Sequence, residues 1–104
     1  MNNSIEEKYL PIGTVVLLKG GIKRLMITGF CVSTEEKKDE IWDYVGCLYP
    51  EGVLSTGTNC VFDHNQISKI IYMGLVDEEE KKFKKLLVES VEKSKSQLND
   101  NNQN

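Results

Sequence analysis

The sequence is poor in the residues that carry chemistry. It has one histidine, His64, one tryptophan, two prolines and three cysteines in 104 residues. A single histidine cannot build a multi-histidine metal site and leaves few routes to acid–base catalysis. The cysteines, Cys31, Cys47 and Cys60, are odd in number and widely spaced, and no C-x-x-C occurs. That pattern fits neither a disulfide framework nor a thiolate zinc site, and it reads as reduced thiols buried as small hydrophobes. A basic excess is also missing. Thirteen Lys and Arg face sixteen Asp and Glu, a formal charge of -3, which argues against nucleic acid and against a polybasic membrane anchor. No apolar run approaches the length of a membrane span. The first eight residues are polar and acidic, without the apolar segment of a signal peptide. These absences lead us to expect a cytoplasmic, non-enzymatic protein with no metal and no cofactor.

What is present is divided unevenly. All eight glycines and both prolines fall within residues 9–74, and residues 77–104 contain neither. The first region reads as strands and turns, the second as a helix and a tail. Thr14–Lys19 is a β-branched apolar run, followed by Gly20-Gly21 and a second apolar run, Leu25–Val32. Two glycines between such runs signal a hairpin, and Gly29 within the second run marks a bulge. The polar stretch Ser33–Glu40 reads as a loop. Ile41–Tyr49 is the third strand, whose alternation places Val45 and Cys47 on one face and Trp42 and Tyr44 on the other. Tyr49-Pro50-Glu51-Gly52 has the composition of a type I turn with Pro second and Gly fourth. Asn59–Phe62 and Ile70–Met73 are short fourth and fifth strands. Asp63 between them is placed to cap one helical turn, His64–Ile67.

From Asp77 the pattern becomes helical. Asp77 and Glu80 have capping-box spacing, and residues 77–80 put negative charge at the positive end of the helix dipole. Phe83, Leu86, Leu87 and Val91 form an apolar stripe. We therefore expect an α+β, mostly β, domain over residues 9–92. Its sheet or barrel is small, bent, five-stranded and SH3-like or Sm-like over 9–74. A helix over 77–92 packs on it by Phe83, Leu86 and Leu87. Residues 1–8 and 93–104 are expected as flexible tails.

Each candidate site has a plainer reading beside it. Cys60 and His64 lie four apart, but a nucleophile pair needs a third orienting group, and a solvent-facing turn histidine is the better account. Gly20-Gly21 with Lys19, Lys23 and Arg24 lacks the phosphate-loop pattern and its following helix. Asp39, Glu40, Asp43 and Glu51 are carboxylates with no defined separation. The aromatic residues are more telling. If the Val and Cys face is the inner one, Trp42, Tyr44, Tyr49 and Tyr72 come near the surface, where Trp and Tyr are favoured as binding anchors. The alternative is that they pack beneath the C-terminal helix. We expect a protein-binding surface at Trp42, Tyr44, Tyr49, Pro50, Glu51 and Gly52.

Three ordered blocks carry a family resemblance: YLPIGTVVLLKGGIKRLMITGF (9–30), DYVGCLYPEG (43–52), and FDHNQISKIIYMG with DEEEKKF (62–83). Together they resemble the bacterial "domain of unknown function 4176" family. Members are small proteins of Gram-positive bacteria, encoded beside type VII secretion components and large toxins with a helical targeting domain. The resemblance implies an accessory, adaptor or chaperone-like protein for a secreted toxin. The alternative is an immunity protein that blocks a toxin's active domain. It supplies no catalytic residues.

Overall fold

A computed structural model describes residues 7–33 and 39–102, with side chains to Ser94. Five strands precede one helix: β1 Val15–Leu18, β2 Leu25–Val32, β3 Trp42–Leu48, β4 Cys60–Phe62, β5 Ile67–Tyr72 and α1 Glu78–Asn102. The strands form one antiparallel sheet in the order β4-β3-β2-β1-β5. A 3-10 turn, His64–Gln66, leads into β5. The expected small, bent, five-stranded α+β architecture is what forms. Most of the expected loop at 33–40 lies outside the described residues, as does most of the segment 1–8.

The Gly20-Gly21 signal corresponds to a turn in which the Gly21 N–H donates to the Leu18 carbonyl at 2.9 Å, with Gly20 at φ 77°. That positive φ is open to glycine at little cost. Gly29 does mark a bulge. The register of β2 on β3 slips between Ile27, opposite Gly46, and Gly29, opposite Val45. The slip changes which residues face inward. Leu25 and Ile27 are buried before it, and Phe30 packs against the core after it.

The inner face of β3 is the one that carries Tyr44, so Tyr44 is not the surface contact expected. Tyr44 is fully buried at the heart of a cluster with Leu10, Val16, Leu25, Ile27, Phe62 and Ile67, and Leu48 packs on the same cluster. The physical reason is Gly46. It leaves a gap on the Tyr44 face through which Phe62 stacks on Tyr44, with centroids 5.3 Å apart and an interplanar angle of 28°. A Cβ on Gly46 would stand 2.5 Å from the Met26 carbonyl oxygen and 3.4 Å from Phe62. Cys47, on the other face, is buried as well, whereas Cys31 and Cys60 are only half-buried, and all three thiols are free. The other aromatic residues divide: Trp42 is half-buried and Tyr72, on edge strand β5, is 64 % exposed.

Asp77 starts α1 as expected. Its Oδ1 accepts the Glu80 N–H at 2.9 Å. Among the described residues, Glu80 Oε1 is buried without a hydrogen-bond partner. The helix runs on to Asn102 instead of ending near residue 92. Phe83 meets Phe30 at 6.0 Å between centroids, and Leu87 is half-buried. Leu86, expected to pack as well, is 62 % exposed. It sits roughly 100° around the helix from Leu87, off the side that faces the sheet. Among the described residues, no helix is long and apolar enough to cross a membrane.

Candidate functional site

Two loops meet at one end of the sheet. The first joins β1 to β2 and carries Ile22, Lys23 and Arg24. The second leaves β3 through Tyr49, Pro50, Glu51 and Gly52 and continues through Val53 and Leu54. The second loop closes one residue wider than a type I turn, since the Gly52 N–H donates to the Leu48 carbonyl at 2.7 Å. Gly52 has φ 79° and the Tyr49–Pro50 peptide is cis.

Three contacts hold the loops together. Lys23 Nζ lies 2.6 Å from Glu51 Oε2. The Arg24 guanidinium lies 5.1 Å from the centre of the Tyr49 ring. The Tyr49 N–H donates to the Arg24 carbonyl at 3.0 Å. The Lys23 ammonium beside Glu51 lowers that carboxyl below its ordinary range, as an adjacent cation must.

Apolar side chains are exposed on this frame. Ile22 is 98 % exposed, Leu54 70 %, Val53 59 % and Tyr49 39 %. Scattered exposed aliphatics are ordinary, but a group of them rimmed by charge is a candidate interaction surface.

Of the expected contact residues, the structure brings Tyr49, Pro50, Glu51 and Gly52 to this end. Trp42 belongs to the opposite end of β3, about 23 Å from Tyr49 by strand rise. Tyr44 is in the core and presents nothing to a partner. Ile22, Val53 and Leu54 are surface residues that the sequence reading passed over. Their signal was apolar side chains inside turn-rich segments, which no strand or helix period would bury.

The far end of β3 holds a polar cluster. The Tyr44 hydroxyl accepts the N–H groups of Tyr9 at 2.9 Å and Leu10 at 3.1 Å, and it lies 2.7 Å from His64 Nδ1. The hydroxyl proton then points to Nδ1, which makes His64 an acceptor there. His64 is thus a half-buried partner of Tyr44, not the solvent-facing turn residue expected. Asp43 and Asp63 cross-brace this corner: Asp43 Oδ2 accepts the His64 N–H at 2.8 Å, and Asp63 Oδ1 accepts the Asp43 N–H at 3.0 Å. Asp63 thus spends a carboxylate oxygen on β3 as well as opening the 3-10 turn. Lys8 Nζ lies 3.2 Å from Asp43 Oδ1. Burial raises the Tyr44 hydroxyl to about 12 and also pushes up the Tyr9 hydroxyl and the Cys31 thiol. These hydrogen bonds and the ion pair all run to backbone or to a neighbouring side chain, as in a structural brace. Among the described residues, no group of three or more His, Cys, Asp or Glu is placed to hold a metal ion.

A five-stranded bent sheet with one leaning helix and a loop end of exposed apolar residues defines a small α+β protein with a candidate protein interface. The family described as Domain of unknown function (DUF4176) matches residues 9–83, and the chain belongs to it. No curated protein and no solved structure matches.

Proposed function

We propose that this protein is a cytoplasmic accessory protein, adaptor or chaperone-like, that binds a toxin exported by a type VII secretion system. It acts by stoichiometric binding and not by catalysis. The observation that supports binding is the loop end. Ile22, Tyr49, Val53 and Leu54 are exposed there, and the Tyr49 N–H bond to the Arg24 carbonyl joins the two loops. Preorganised loops lose little ordering entropy when a partner docks. The choice of partner rests on the toxin loci that the family resemblance implies.

The test is co-purification with separated parts of a toxin encoded beside this gene. An adaptor or chaperone-like protein captures the helical targeting segment. Capture of the active domain alone, with loss of toxicity, would replace this reading with that of an immunity protein. Binding to neither part would refute both.

A further inference from the structure

A second surface lies between α1 and the sheet, remote in its chemistry from the Tyr49 loop. It is a groove of about 420 Å3, within the size range of ligand clefts. Its floor includes Tyr9, Ile12, Phe30 and Phe83. Ile12, on the approach to β1, is 50 % and Phe83, on α1, 52 % exposed, so the groove is open. Its rim is acidic, with Asp77, Glu79 and Glu80 all lining the groove. The one cation among the lining residues, Lys84, lies 3.7 Å from Glu7 Oε1. Glu80 Oε1 is buried with no hydrogen-bond partner among the described residues. A basic residue from a partner is drawn to this acidic rim.

We propose that this groove receives a segment of a partner protein in which a Lys or Arg stands close to an aromatic or long aliphatic anchor. The anchor lies on the exposed sides of Ile12 and Phe83, and the cation meets the rim carboxylates of Asp77, Glu79 and Glu80. The chain's own basic apolar loop is a poorer occupant. Lys23 is committed to Glu51 and Arg24 to the Tyr49 ring, and two copies each carry a net charge of -3. This binding mode goes beyond the proposed function and does not depend on what the Tyr49 loop contacts.

The test uses the purified full chain as bait for a display library of short random linear peptides, followed by titration of an enriched synthetic peptide. The enriched sequences are expected to pair a basic residue with Phe, Trp or Leu. Phe83→Ser and Glu80→Gln are each expected to weaken the peptide about tenfold or more, while Tyr49→Ala leaves it unchanged. Both substituted residues lie on α1, and melting curves verify folding. Should Phe83→Ser fail to fold, Ile12→Ser takes its place. Failure to enrich, enrichment of acidic peptides, binding indifferent to the groove variants, or self-association of the chain through the groove would each overturn the proposal.

Discussion

The Tyr44 hydroxyl lies 2.7 Å from His64 Nδ1 while accepting the backbone N–H groups of Tyr9 and Leu10. One side chain in the middle of the core therefore ties the N-terminal approach, β3 and the 3-10 turn together. Tyr44→Phe keeps the ring and its stacking on Phe62 but leaves two backbone donors and an imidazole nitrogen without their partner. Each buried group left unsatisfied costs about 1–3 kcal/mol. The expected loss is about 2–3 kcal/mol in denaturant unfolding, with little change for Tyr49→Phe at the exposed end. Equal effects of the two substitutions would show that the Tyr44 hydroxyl is not the tie we describe.

Alkali provides a second check on the same residue. Burial raises the Tyr44 hydroxyl to about 12 and lifts that of Tyr9 as well, against an ordinary value of about 10. The folded state holds these protons more tightly than the unfolded chain. Stability is therefore fully present below about pH 10 and falls as the pH rises toward 12. Tyrosinate absorbance from the buried pair should appear together with loss of near-ultraviolet circular dichroism. Tyr44→Phe should make the alkaline decline shallower. Ionisation of all four tyrosines with the fold intact would contradict this picture.

The close approach at Gly46 predicts a sharp stability loss from the smallest substitution. A Cβ would stand 2.5 Å from the Met26 carbonyl oxygen, and backbone in a paired strand cannot yield cheaply. Gly46→Ala is expected to cost about 2 kcal/mol or more, in the range of an overpacked core. Gly57→Ala is the control for loss of a loop glycine, since nothing lies within 4 Å of its added Cβ and only its φ of 89° is strained. A smaller loss for Gly46→Ala than for Gly57→Ala, read as melting temperature, would refute the packing argument.

Much of this fold is legible in the sequence, and the exceptions have physical causes. Glycine and proline punctuation locates the strands, Gly29 announces its bulge, and Asp77 announces the start of α1. The face of β3 is not legible from alternation alone. Val45 and Cys47 make as good an apolar pair as Trp42 and Tyr44, and the choice depends on Gly46 admitting Phe62 from another strand. Burial of Tyr44 further requires donors from Tyr9 and Leu10, more than thirty positions away. Leu86 belongs to the stripe by spacing but turns away from the sheet, because one helix leaning by Phe83 and Leu87 covers only a narrow arc. Half of the candidate contact, Tyr49 to Gly52, is readable from its turn residues. The other half, Ile22, Val53 and Leu54, becomes visible only when Lys23 is seen to reach Glu51.

Loop geometry predicts how salt acts on the interface without disturbing the fold. The Lys23–Glu51 pair is exposed, so ions screen it, and exposed pairs add little to stability. Glu51→Gln should leave the melting temperature nearly unchanged. It should slow association with the partner more than it speeds dissociation, as rim charges do, and this difference should shrink at high salt. Stopped-flow binding at two ionic strengths measures it. A large drop in melting temperature, or a purely dissociative effect, would show that Glu51 has another role.

The central claim is that the end bearing Tyr49 and Leu54 holds a protein partner. Titration calorimetry of the full chain against the toxin's helical targeting segment tests it most directly, with wild type, Tyr49→Ala and Leu54→Ser compared. We expect a one-to-one complex, weakened about thirty-fold by Tyr49→Ala, the scale of a truncated binding anchor, with both variants melting as the wild type does. Folded variants that bind the segment as tightly as the wild type would contradict the account.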